Sequence, residues 1–338
     1  MKKTLLCALA LALLTLLIPA VSLLGPFASL PPPPPGPAPK AASDPPQPPP
    51  TDSAPQPRGD LLIWDSGAKQ LLQVPLRQYL IGAVASEMPP TWPDEALKAQ
   101  AIACHSYALY QQQQAGQDAA VTGYFSADPA RRQGFMTEEV LRSYWGAAYE
   151  ENYARISGLV DQVIDGVLTW QGGPAAACYH AISCGVTEAS QNVWQEALPY
   201  LQGVDSPLDL TSPDYEKTVT YTAQQMYDAL TLEECGVQLD GLPREQWFGP
   251  AEYTPAGTVR SIQVGGTALS GPQVRRMLGL RSACFQVAYG DDCFTVTTRG
   301  YGHGVGLSQY GAAALARTGS TCPQILAFYF PGTQLTGL

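Results

Sequence analysis

Residues 5–24 are apolar without one charge, behind Met1-Lys2-Lys3. That length suits one bilayer-spanning helix with the two lysines on the cytoplasmic side. The alternative is a cleaved signal peptide, although no clear small-x-small cleavage site follows. Residues 1–25 are therefore expected to be an uncleaved transmembrane anchor. Residues 26–58 carry no apolar period and are dominated by proline, with Pro31 to Pro35 followed by Pro45, Pro46, Pro48, Pro49 and Pro50. Such a stretch buries no core and extends as a semi-rigid polyproline spacer.

Ordinary periodicity begins near Gly59, so residues 59–338 are expected to form one large extracytoplasmic domain. Helical spacing predicts helices over about 76–88, 93–114, 137–149, 222–231, 271–279 and 308–328. Strand patterns lie near 71–74, 167–170, 175–181, 219–222, 259–264, 284–288 and 294–298, with a hairpin turn at Gly290-Asp291-Asp292. Helices and strands do not alternate regularly, which predicts an α+β fold with a mixed β-sheet and packed helices. Residues 228–257 fit neither period and are expected to be a surface excursion.

Charge and cysteine usage narrow the chemistry. The formal net charge is -10 and the pI about 4.7, which excludes nucleic acid as a natural partner. Seven cysteines lie beyond the first apolar run, with no CxxC pair. They read as free, partly buried thiols; the alternative is a Cys284–Cys293 pair across the predicted hairpin. Cys178, His180 and Cys184 suggest a metal, but an extended strand separates the two cysteines by ~20 Å.

Two regions carry candidate chemistry. Gly300-Tyr301-Gly302-His303-Gly304-Val305-Gly306-Leu307-Ser308-Gln309-Tyr310-Gly311 sets glycines around one of three histidines. Either it is a ligand-facing turn, with backbone exposed for a ligand to approach, or a tight turn capping the next helix. The second region is Glu87. Pro75 favours a helix start, and Pro89-Pro90 force a stop at Glu87-Met88. A helix C-terminus and the apolar neighbours Met88, Pro89 and Trp92 both raise a carboxyl pKa. A carboxyl that keeps its proton can serve as a general acid. The other reading is an exposed helix-end glutamate.

Taken together, these motifs resemble the stage II sporulation protein D (SpoIID) family. Glu87-Met88-Pro89 followed by Glu95-Ala-Leu-Lys-Ala-Gln-Ala, the glycine-histidine stretch, Tyr179-His180-Ala181-Ile182-Ser183-Cys184-Gly185-Val186-Thr187-Glu188 and Tyr329-Phe330-Pro331-Gly332-Thr333 occur in the family's order. The resemblance implies a peptidoglycan lytic transglycosylase of sporulation engulfment. Such an enzyme cuts between N-acetylmuramic acid and N-acetylglucosamine in peptide-stripped glycan and leaves 1,6-anhydro ends. It further implies a SpoIIP-like amidase/endopeptidase and a SpoIIM-like membrane protein as partners. Some relatives are instead amidase enhancers that cut nothing.

The resemblance assigns Glu87 as the catalytic glutamate. Lys98 matches a lysine of the signature, with a solvated helix lysine as the alternative. His105 stands where relatives often carry arginine, which exchanges a permanent fork of donors for a pH-dependent one. Ser183, Thr187, His303, Gln309 and Tyr310 are candidates for lining a glycan cleft, and Tyr329 for stacking on a sugar face; structural roles stand beside each. Clostridial-type relatives carry a zinc motif of His-x5-Cys-x5-Cys before a glutamine. Counted back from Gln133, those positions here are Ala120, Ser126 and Arg132, so no metal or other cofactor is expected.

Overall fold

A computed structural model describes residues 59–115, 125–194, 196–232 and 235–338. The expected anchor (1–25) and spacer (26–58) lie outside the described residues. Among the described residues, no helix is long and apolar enough to cross a membrane.

Two hydrophobic cores organise the chain. The first surrounds one central helix. Helix α1 (Leu76–Glu87) begins after Pro75, and Met88 is extended with its N–H on the Val84 carbonyl. The helix ends there because a residue before proline avoids helical backbone. Helix α2 (Asp94–Ala115) opens with Asp94 and Glu95, whose charges suit the positive end of its dipole. Its run of alanines, with Leu97 and Ile102, is buried on nearly every side. A helix apolar all round belongs inside a protein. Small side chains let neighbours approach it, and each buried leucine or isoleucine contributes about 1.5–3 kcal/mol. Around it pack α1 and helix α4 (Tyr149–Val163), and helix α3 (Glu138–Trp145), started by Thr137 capping the Val140 N–H, packs on those two. Strand Val167–Trp170 is tied to α2 through Ser106, whose hydroxyl accepts the Leu168 N–H at 2.8 Å. That strand pairs with Gln334–Thr336, near the end of the chain.

The second core lies between two antiparallel sheets and two helices. Strands Phe248–Tyr253, Val259–Val264 and Thr267–Ser270 form one sheet; Phe285–Gly290, Cys293–Arg299 and Glu216–Thr222 form the other. Helices α5 (Ala223–Thr231) and α6 (Gly271–Leu278) both begin in capping boxes, Thr222 with Gln225 and Ser270 with Gln273. Met226, Trp247, Val264, Val274, Phe294 and Val296 fill the space between them.

The α+β class is as expected, but the single mixed sheet is not. The described residues hold five small sheets, because most strands are short and turn back at once or pair with a distant segment. Residues 228–257 are no surface excursion: Leu239 and Trp247 are buried in the second core and 248–253 is a strand. The expected helix 308–328 is two helices, α7 (Gln309–Arg317) and α8 (Cys322–Tyr329). Gly319 breaks it at φ +98°, and a Thr321–Gln324 capping box restarts it. The hairpin turn is present, with Asp291 and Asp292 both left-handed. Its register excludes the Cys284–Cys293 pair: Cys293 faces Gly290, whereas Cys284 lies at the far end beside Arg299. All seven described cysteines are free thiols.

Candidate active site

The glycine-histidine stretch lies along residues 178–188. Tyr301 and Ile182 exchange backbone hydrogen bonds at 2.7 and 3.0 Å, Glu188 N–H donates to Gly304 O at 2.7 Å, and Leu307 N–H to Cys178 O at 3.0 Å. This contact explains the glycines. Gly306 is left-handed at φ +74°, and a β-carbon there would sit 2.2 Å from the Cys178 carbonyl oxygen. The missing side chains at Gly300, Gly302 and Gly304 likewise face Ile182, His180 and Glu188. The glycines make room for the 178–188 segment, not for the ligand that the glycine pattern suggested.

Where the stretch ends, Ser308 caps α7 by accepting the Gly311 N–H at 3.2 Å. The same hydroxyl donates to Asp209 at 2.7 Å. Asp209 is fully buried and also accepts the Ser183 N–H at 3.1 Å and the Ser183 hydroxyl. Burial raises its pKa, against the hydrogen bonds from Ser183, Ser308 and Ser206. Ser206 in turn meets the Tyr329 hydroxyl at 2.9 Å. Gly311 is required here, since its β-carbon would lie 2.1 Å from that hydroxyl.

This buried network fixes the first residue of α7, Gln309, whose Nε2 donates to Glu87 Oε2 at 3.0 Å. The contact joins the two regions that carried candidate chemistry, 222 residues apart in sequence. Glu87 is half-buried. Burial raises its pKa above the ordinary 4.5, and the Gln309 amide opposes the rise by favouring the anion. Tyr79, Tyr179 and Cys104 are close enough to feel its charge, and burial keeps all three protonated, Cys104 at about 12. Among the described residues, no second carboxylate and no cation perturbs Glu87. The arrangement is a lone carboxyl in an apolar, hydroxyl-lined setting, suited to giving and retaking one proton.

The other candidates are placed as follows. Lys98 donates to Glu95 at 2.9 Å, while the second Glu95 oxygen accepts the Cys322 N–H at 2.6 Å, so this pair binds α2 to α8. His105 is buried, its Nδ1 donating to Gly166 O at 3.1 Å, and burial lowers its pKa. Ser183 and Thr187 are fully buried; the Thr187 hydroxyl accepts the Val204 N–H at 2.9 Å. Tyr329 is 1 % exposed, so its ring belongs to the core rather than to an open sugar face. His303 accepts the Val305 N–H at Nδ1, and its ring lies 4.9 Å from Trp194. Burial and nearby Arg275 bring its pKa down to about 4. Tyr310 donates to Thr211 O at 3.2 Å and meets Trp92 edge-on at 6.4 Å. Of the former zinc-motif positions, Ala120 lies outside the described residues.

The SpoIID family profile, described as "Stage II sporulation protein", matches residues 65–170. "Stage II sporulation protein D" of Bacillus subtilis (strain 168) is 36% identical over 274 residues, covering 81% of this chain and 78% of the relative. The chain belongs to the SpoIID family. A second SpoIID relative, from Bacillus amyloliquefaciens, is 34% identical over 264 residues, covering 78% of this chain and 74% of its own length. "Amidase enhancer" of B. subtilis is 27% identical over 310 residues, covering 76% of this chain and 40% of that protein. The matched profile contains Glu87, Lys98 and His105 but ends before the glycine-histidine stretch. Gln309, outside the matched range, meets Glu87 through tertiary structure.

Sequence reasoning missed Asp209, Glu188 and Trp194. Glu188 is 2 % exposed and accepts hydrogen bonds from Thr254, Thr258 and Asn192. It ties the 178–188 segment to the second core. A glutamate inside the family-like motif was the available signal; Asp209 and Trp194 sit in stretches without any.

Proposed function

We propose that the protein is a peptidoglycan lytic transglycosylase acting on peptide-stripped glycan during sporulation engulfment. The observation that carries this reading is Glu87 alone with Gln309. Ordinary glycosidases use two carboxylates, one for the leaving group and one for water or the nucleophile. When the muramic C6 hydroxyl attacks its own C1, no water needs activating. Glu87 first protonates the glycosidic oxygen, and the bond between that oxygen and C1 breaks. Its carboxylate then takes the proton from the C6 hydroxyl as the anhydro ring closes. Gln309 holds the carboxylate oxygen between the two steps. Trp194, His303, Tyr310 and Trp92 supply rings and donors for sugar contacts.

In this reading the N-terminal segment anchors the protein to the membrane, with residues 59–338 outside the cytoplasm. SpoIIP-like amidase/endopeptidase and SpoIIM-like membrane proteins are its partners. The test incubates the purified full chain with peptide-free glycan and looks for 1,6-anhydro ends by mass spectrometry. Wild type produces them and Glu87→Gln, folded, does not. Undiminished release by Glu87→Gln refutes the assignment. The amidase-enhancer relative supports a second reading, in which the chain binds wall glycan and stimulates an amidase. No anhydro product from wild type, together with faster amidase turnover, decides for it.

A further inference from the structure

The 178–188 segment meets the second core at two cysteines that the proposed reaction does not use. Cys184 Sγ lies 3.5 Å from the Arg299 carbonyl oxygen. From the other side, Arg299 N–H donates to the Cys284 carbonyl at 2.8 Å. Ser282 fastens the same corner, donating to Arg299 O at 2.5 Å and accepting the Cys284 N–H at 3.0 Å. Arg299 thus meets Cys184 at its thiol and Cys284 along its backbone, and the two cysteine side chains contact each other. Neither is sealed in: both are only partly buried, and Cys284 lines a small surface cavity with Tyr253, Gln286, Thr297 and Arg299. By contrast, Cys104, Cys178 and Cys322 are buried.

We propose that Cys184 and Cys284 are a disulfide-forming pair, an oxidation site that covalently locks the 178–188 segment to the second core. The two thiols are unequal. The hydrogen bond from Cys184 and the nearby Arg299 charge lower the pKa of Cys284, whereas the same contact and burial raise that of Cys184. Cys284 is therefore the attacking thiolate. It attacks one sulfur of a disulfide oxidant, either a small-molecule disulfide or the active-site disulfide of a thiol–disulfide oxidoreductase, and releases one thiolate. Cys184 then loses its proton to solvent and attacks the Cys284 sulfur, releasing the second thiolate. The protein loses two protons and two electrons, and the oxidant disulfide takes them up and leaves as two thiols.

The experiment treats the native full chain with oxidised glutathione, alkylates the remaining thiols and maps peptides without reduction. The expected product is a Cys184–Cys284 linked peptide, lighter by two hydrogens and reversed by dithiothreitol. The positions are 100 apart in sequence (284 minus 184), so the bond should raise the melting temperature on the order of 10 °C. In Cys184→Ser that rise should vanish, with Cys284 recovered as its glutathione adduct. Peptide mapping of wild type needs no variant to fold. Both cysteines recovered as alkylated monothiols, or Cys284 linked to a different cysteine, would overturn the proposal.

Discussion

Replacing Asp209 by alanine removes the acceptor that holds the network behind Gln309. The carboxylate is fully buried and receives the Ser183 N–H, the Ser183 hydroxyl and the Ser308 hydroxyl. The two hydroxyls can rotate toward other acceptors, but the Ser183 N–H cannot. A buried donor without a partner costs about 1–3 kcal/mol. Relief of the buried charge, whose pKa burial has already raised, offsets part of that loss. The net destabilisation is ~2 kcal/mol. At ~2–4 °C per kcal/mol for a domain of this size, the melting midpoint falls by about 4–8 °C. Asp209→Asn, which keeps one acceptor oxygen for Ser183, should lose less. Scanning calorimetry of the full chain measures both. A second arm pairs Asp209→Ala with Ser308→Ala, whose effects should fall short of additive because they share one bond. An alanine variant melting within ~2 °C of wild type refutes the claim that this network holds the site.

Glu87→Gln should melt higher than wild type at neutral pH, by about 0.5–2 kcal/mol of stability. The sign follows from the raised pKa: the native state favours the protonated acid, so stability is fully present below 4.5 and is lost as pH rises through the raised value. The difference should therefore close below 4.5, as pH-dependent denaturant titrations would reveal. Gln309→Leu removes the amide that favours the anion, so the alkaline limb of glycan cleavage should move to higher pH; an unmoved limb separates Gln309 from the acid. Gly311→Ala forces a β-carbon against the Tyr329 hydroxyl and should cost ~1–3 kcal/mol in urea unfolding. His303→Ala should reduce turnover far less than Glu87→Gln, whose loss is ~100-fold or more.

Much of the first core was legible because its punctuation is local. Pro75 and Pro89-Pro90 bracket α1, and the alanine run after Glu95 marks a buried helix. Glu87 stood out for the same reason. Helix α4 was missed although Tyr149, Ile156, Val160 and Val163 keep a helical spacing, since charged residues dilute it. The break at Gly319 lies in the polar run Arg317-Thr318-Gly319-Ser320-Thr321, which the apolar residues further out on either side, Ala312–Ala316 and Ile325–Ala327, outweighed in the expected helix. Asp209 could not be read at all. It lies in Pro207-Leu208-Asp209-Leu210-Thr211, without any period, and its meaning depends on serines 26 and 99 positions away. Gln309 was legible as a cleft candidate, but its partner was not, because a 222-residue contact leaves no trace in spacing.

That contact also sets an order of events during synthesis. A ribosome that has reached residue 308 has made Glu87 and most of both cores, but not the amide that holds its carboxylate. The Cys322 N–H that occupies Glu95, and the strand Gln334–Thr336 that closes on Val167–Trp170, come later still. The proposed acid is therefore assembled late, by contacts that residues 309–336 bring. A nascent protein that stops short of Gln309 has its glutamate but not the amide that holds it, so the proposed cleavage waits until that residue is made and folded in.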